Sequence, residues 1–308
     1  MTNADNKQED LLQRVERLWD SEVKTYLENK HRGGRINEKG ADYESYYATF
    51  QLAKRAPEVI EEKKVLFFSS QIIGFVDDLV IENDDDDSCL HYQLKTSAAL
   101  SWGSKLKSLC DDFAKQYQYN CSMGKENSVM CLVVSNLAVR DSMSPSIPSK
   151  IAEFTRVLHF PFDEEFRQLL AHQEEFKKAI KYLCAFEEPE PDKIECVATV
   201  LLGAWQSANK SRISALELLK TAQSYSPSYI RSFEVDREFV LDPAVKIIFD
   251  NISGFSYNLN KGFFHWSFLN GLDRGTLPYS CEKEDFRRFQ ERVKQQEPTN
   301  FDDLENLL

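Results

Sequence analysis

One stretch, IGFVDDLVIENDDDDSCLHYQLKTS at 73–97, limits the folds open to this chain more than any other. Two β-prone runs, 73–82 and 90–97, flank the polar connector NDDDDS, which predicts a β-hairpin with a solvated turn. The acids of that turn lack the spacing and the glycine of a calcium loop. Residues i and i+2 of a strand share a face, so Gln93 and Lys95 project together. On the paired strand Asp78, with Asp77 beside it, reaches the same place.

The elements on either side extend this hairpin into a core. A helix opening at Gly40 or Asp42 runs to about Ala56, where Pro57 stops it, and it places Glu44 and Gln51 on one face. VLFFSS (65–70) reads as a strand. After the hairpin, 102–120 is helical in pattern, with Ser101 or Ser104 as its cap. SVMCLVVSN (128–136) is an apolar run between polar residues, the mark of a buried central strand. The resulting order is α-β-β-β-α-β, an α/β (α+β) arrangement.

Upstream, 8–29 carries Leu11, Leu12, Val15, Leu18, Trp19, Val23, Tyr26 and Leu27 on one helical stripe, suited to its own domain or to a partner helix. A basic, glycine-containing loop follows at 30–40. Downstream, LAVRDSMSPSIPSK (137–150) reads as a linker or a long surface loop. Helical patterns follow at 163–186, 193–208 and 214–224, then strand-like sequence at 244–268 with a hairpin turn at Asn260-Lys261-Gly262. A final helix leads to an acidic end, NFDDLENLL, which is either frayed or a docking segment. The expected domains are an N-terminal amphipathic helix (1–36), the core (37–140) and a mainly helical C-terminal region with a small β-hairpin (150–308).

Composition narrows the function classes. The chain has 308 residues, 42% hydrophobic and 29% charged, without an apolar run long enough to span a membrane. The polar, acidic start is unlike a signal peptide, so the expected compartment is the cytoplasm, with no membrane association. Seven scattered cysteines without a C-x-x-C suit reduced thiols, and five histidines without a metal-ligand spacing argue against structural zinc. A net charge of −12 argues against nucleic-acid binding over the whole surface and calls for a local basic patch, divalent cations or a basic partner.

Carboxylate, amide and ammonium at the end of one hairpin suit metal-dependent phosphodiester hydrolysis. Magnesium takes oxygen ligands. Asp78 supplies one, the Gln93 amide a second, and the Leu94 carbonyl lies between Gln93 and Lys95. Lys95 suits the attacking water or the developing charge, and Glu44 suits the orientation of a metal-bound water.

Glu44 on a helix, Asp78 on one strand and Gln93-Leu94-Lys95 on the next resemble the PD-(D/E)XK nuclease superfamily in its Q-x-K form. G-A-D-Y-E-S-Y-Y (40–47), F-V-D-D-L-V-I (75–81) and H-Y-Q-L-K-T (91–96) resemble the dsDNA-endonuclease domains of bacterial anti-phage systems. Such domains serve as effectors of cyclic-oligonucleotide signalling or as nuclease subunits of Lamassu-type complexes with an SMC-like ATPase. The resemblance covers about 38–136; that branch often has glutamine where Glu44 stands. It implies a restriction-endonuclease-like core, Mg²⁺ (or Mn²⁺) as cofactor, double-stranded DNA as substrate, a defence-system partner protein and a homo- or hetero-oligomer. It implies Glu44, Asp78, Gln93 and Lys95 as catalytic residues, with Asp78, Gln93, Asp77 and Glu44 around the metal; either aspartate can be the ligand.

Other readings stay open. The same residues serve an RNA nuclease, and a nuclease-like fold can act as a non-catalytic scaffold. Asp78 and Lys95 can also form a simple cross-strand ion pair on a solvated face, leaving Tyr92 and Leu94 to the core. Arg32, Arg35, Lys54, Arg55, Lys105 and Lys107 form the candidate nucleic-acid patch. Phe255, Tyr257, Phe263, Phe264, His265 and Trp266 are expected to pack in a core, with a ligand or partner surface as the alternative.

Overall fold

The computed structural model describes residues 3–33, 38–234 and 240–308, with side chains at 11–30, 40–234 and 240–308. The first elements are α1 (Asn3–Leu18), α2 (Ser21–Gly33), α3 (Glu38–Lys54), α4 (Ala56–Ile60), β1 (Leu66–Ser69), β2 (Leu79–Asn83), β3 (Ser88–Lys95), α5 (Leu109–Ser122) and β4 (Ser128–Val134). Next come α6 (Leu137–Met143), β5 (Thr155–His159), α7 (Phe166–His172), α8 (Glu174–Leu183), α9 (Pro191–Ser207), β6 (Ile213–Ser214) and α10 (Ala215–Tyr225). The chain ends with α11 (Pro243–Asn251), β7 (Phe255–Asn260), β8 (Phe263–Phe268), β9 (Asp273–Thr276), α12 (Glu284–Gln296) and α13 (Phe301–Glu305). Two compact units result: Met1–Lys177 with Leu202–Leu219, and Lys178–Leu201 with Lys220–Leu308.

The first unit holds a six-stranded sheet in the order β5-β4-β3-β2-β1-β6. β1, β2 and β3 are antiparallel neighbours, whereas β3, β4 and β5 run parallel. Parallel neighbours need a crossover, and α5 and α6 supply the two that are required. β4 alternates between two buried faces. Met130, Leu132 and Val134 join Val76, Trp102 and Phe113 in one cluster. Cys131 and Val133 are equally buried on the other side, where α3 brings Tyr47 to 5.3 Å from Tyr92 and Phe50 to 5.2 Å from Phe160. Two covered faces explain the uninterrupted apolar run at 128–134.

The α-β-β-β-α-β succession is present, with differences at several boundaries. β2 starts at Leu79, because Gln71 has φ 53° and residues 71–78 bend instead of extending. α5 starts at Leu109, capped by Ser108, because Gly103 and Lys107 have positive φ and interrupt the expected helix. The N-terminal stripe is two helices, since Asp20 accepts from the Val23 N–H at 2.9 Å and restarts the chain as α2. Residues 137–150 are no linker: α6 crosses over to β5, which joins the same sheet.

The second unit carries the antiparallel sheet β7-β8-β9. Lys261 and Gly262, both at positive φ, turn β7 into β8. Residues 243–251, expected to extend, are helical because Asp242 caps them and Pro243 sits at the first position. Phe249, Phe264, Phe286, Phe289, Val293, Phe301 and Leu304 form the core, so the acidic end folds back into its own unit as α13. Phe263 and His265 are buried too, and Phe255, Tyr257 and Trp266 pack on this core, which accounts for the aromatic cluster. Among the described residues no helix is long and apolar enough to cross a membrane.

Candidate active site

The acidic pair lies on a bent segment that is pinned from two sides. The N–H groups of Phe75 and Val76 donate to Gln116 Oε1 on α5, at 2.8 and 3.3 Å. The Val76 carbonyl accepts from His91 Nδ1 on β3 at 2.9 Å. Gln116 donates onward to Asn120 at 3.0 Å, and Asn120 Nδ2 lies 2.9 Å from both His91 Nε2 and Ser128 Oγ. This closed set ties α5, β3 and the start of β4 to the two residues that precede Asp77. Burial pushes the His91 imidazole down to about 4, so it is neutral, with its proton on Nδ1 facing the carbonyl.

Asp78 continues the Leu79–Tyr92 register and faces Gln93. Its Oδ2 accepts from the Leu94 N–H at 2.7 Å and from Gln93 Nε2. Gln71 joins the third element: its Nε2 donates to Glu44 Oε2 on α3 at 2.8 Å and reaches Asp78 Oδ1 at 3.4 Å. The Gln71 N–H donates to the Asp77 carbonyl at 2.9 Å, and Ser70 Oγ donates to the Asp78 carbonyl at 2.8 Å. A non-glycine residue held at positive φ by such contacts is strained backbone beside the site. Gln93 is 1%, Asp77 3% and Asp78 8% exposed. This is a buried acid cluster and not a solvated face. Asp78 bonds to Gln93 and the backbone, which removes the simple surface ion pair with Lys95.

The electrostatics follow from crowding. Burial, and next the charge of Asp78, push the Glu44 carboxyl up; the Gln71 hydrogen bond and Lys95 oppose this. Asp77 is also raised by burial, against the pull of Lys30 and Lys95. Lys95 closes β3, and its ammonium makes no hydrogen bond or ion pair among the described residues, so its field acts freely on both acids.

Four residues that the sequence reading did not anticipate complete the charge pattern. Lys30 on α2 bonds Gln93 Oε1 at 3.2 Å and Asp112 Oδ2 at 3.1 Å. The Tyr26 hydroxyl bonds Asp112 on α5 as well. Lys210, before β6, lies over the Trp205 ring at 5.2 Å; burial lowers its ammonium's pKa and the charge of Glu44 opposes that. No local pattern marks these residues, because they enter from α2, from α5 and from the loop before β6.

Of the candidate nucleic-acid patch, Lys54 pairs with Glu175 at 2.6 Å and Arg55 with Glu58 at 3.3 Å. Lys107 lies 3.9 Å from Glu22 and over the Tyr26 ring, while Lys105 is exposed. The side chains of Arg32 and Arg35 lie outside the described residues.

The donor set decides whether a divalent cation suits the site. Among the described residues no three His, Cys, Asp or Glu side chains are grouped to hold a metal ion. What converges is two carboxylates, Asp78 and Glu44, joined through Gln71, with the Gln93 amide and the Leu94 backbone beside them. As arranged, Asp78 faces two donors, the Gln93 NH₂ and the Leu94 N–H, so an oxygen set of the kind magnesium or manganese takes would need the Gln93 amide turned to bring its oxygen beside the two carboxylates. Burial first, and the neighbouring acid charges after it, hold the Glu44 and Asp77 carboxyl groups up, and a cation there would offset both. No family model matches the chain, and no curated protein or solved structure matches it either.

Proposed function

We propose that this protein is a metal-dependent endonuclease that cleaves double-stranded DNA as the effector subunit of a bacterial anti-phage defence complex, on a restriction-endonuclease-like PD-(D/E)XK core. The observation that carries the reading is the meeting of Asp78, Gln93 and Glu44 at the mouth of the β2–β3 hairpin, with the Lys95 ammonium beside them. Asp78 and Gln93 would hold Mg²⁺ or Mn²⁺, with Glu44 and Asp77 in support. A bound cation supplies Lewis acidity and a more acidic water. Glu44, whose Gln71 hydrogen bond favours its ionised form, orients a water. Lys95 offsets the charge that develops on the phosphate.

One observation favours a second reading, a nuclease-like scaffold without catalysis: Asp78 is engaged by Gln93 and the Leu94 N–H, and Gln93 by Lys30. Plasmid cleavage with Mg²⁺ or Mn²⁺ separates the two, run alone and with the products of neighbouring genes. The nuclease reading expects nicked or linear DNA from the wild type and about a 100-fold or greater loss in Lys95→Ala. No cleavage under any of these conditions leaves the scaffold; cleavage of RNA alone moves the substrate class.

A further inference from the structure

Lys30 reaches the site from outside the strand framework. Val15 and Leu27, with Trp19 and Val23, close the α1–α2 hairpin on Ile73 and Phe75, the segment that leads to Asp77. From there the Lys30 ammonium donates to three oxygens: the Phe75 carbonyl, Gln93 Oε1 and Asp112 Oδ2. Tyr26, one turn earlier, places its hydroxyl 3.2 Å from both Asp112 carboxylate oxygens. One positive charge among oxygen acceptors is the environment a hard cation seeks.

Gln93 couples this contact to Asp78. A primary amide has one accepting end and one donating end. Here the donating end faces Asp78 and the accepting end faces Lys30. A cation held by Asp78 needs the amide oxygen on the Asp78 side. Turning the amide then sets its NH₂ against the Lys30 ammonium, two donors face to face, and Lys30 loses an acceptor.

We propose that Lys30 is an internal counter-ion that a divalent cation at Asp78 displaces, with the turn of Gln93 making the two arrangements mutually exclusive. Cation binding then frees α2 from the site, and the α1–α2 hairpin acts as a restraint that the cofactor itself releases. This rests on the cation-site reading above.

The test is Mn²⁺ titration of the full chain by calorimetry, comparing wild type, Lys30→Met and Lys30→Arg. Removing a charge-assisted competitor should tighten Mn²⁺ binding about tenfold in Lys30→Met, while Lys30→Arg stays near wild type. Equal or weaker binding in Lys30→Met overturns the competition and leaves the cation site standing. Failure of all three to bind Mn²⁺ overturns both. Hydrogen exchange of wild-type α2 gives a readout independent of any variant: Mn²⁺ should lower amide protection in Ser21–Gly33, and unchanged protection overturns the proposal.

Discussion

Acidification should dismantle the site through His91. Its Nδ1–H is spent on the Val76 carbonyl, and its Nε2 faces the Asn120 amide donor at 2.9 Å. Burial of the ring lowers its pKa to about 4, and a second proton would have to sit on Nε2 and point at that donor. The unfolded chain takes the same proton near an ordinary 6.5. Between those values the unfolded state binds more protons, so the contribution is complete above about pH 6.5 and is lost as pH falls towards about 4. The gap corresponds to about 3 kcal/mol, a large share of the total stability of a domain. The comparison variant is His91→Asn, whose amide nitrogen keeps the donor to Val76 but does not titrate. Urea denaturation of both proteins at several values between about pH 7 and pH 4 isolates the histidine, because other groups cancel in the difference. Wild type should lose about 3 kcal/mol more than His91→Asn across this range. Parallel curves for the two proteins would refute the buried neutral imidazole and the clamp built on it.

Glu44 and Asp77 titrate in the opposite sense. Their raised folded pKa values mean that the folded chain binds more protons, so metal-free stability declines as pH rises from the carboxylate range through neutrality. Saturating Mg²⁺ should therefore raise the melting temperature more at about pH 8.5 than at about pH 6, read by differential scanning fluorimetry; equal increments would contradict the shared acid cluster. Gln116→Leu strips the Phe75 and Val76 N–H groups of their acceptor, and a loss of about 2–4 kcal/mol in urea unfolding is expected. The same variant should bind Mn²⁺ more weakly, because Asp77 and Asp78 follow directly on the freed backbone; an unchanged affinity would show that the clamp does not position them.

Local sequence determined a good part of this protein. Period-two side-chain alternation placed Gln93 and Lys95 on one face of β3, and the short apolar run at 128–134 matches the strand covered on both sides. The acids before β2 set Asp78 opposite Gln93, and Glu44 belongs to the helical pattern upstream. Boundaries were less legible, because the positive φ of Gln71, Gly103 and Lys107 is imposed by contacts and has no signature in a window of residues. The helix at 243–251 departs from its strand-like pattern for a related reason: its apolar content suits either state, and the cap at Asp242 decides it.

Tertiary structure alone decided which groups share the site's charge. Lys30 meets a glutamine 63 positions later, Tyr26 an aspartate 86 positions later, and Gln71 spans 27 positions to Glu44. A hydrogen bond or a Coulomb interaction depends on separation in space, and nothing in the residues around Lys30 encodes the fold of α2 onto the acidic segment. The sequence carries the chemistry of each side chain and the period of each element; only the closing of separate elements on one another sets which charges meet, how far they are buried and which protons they hold.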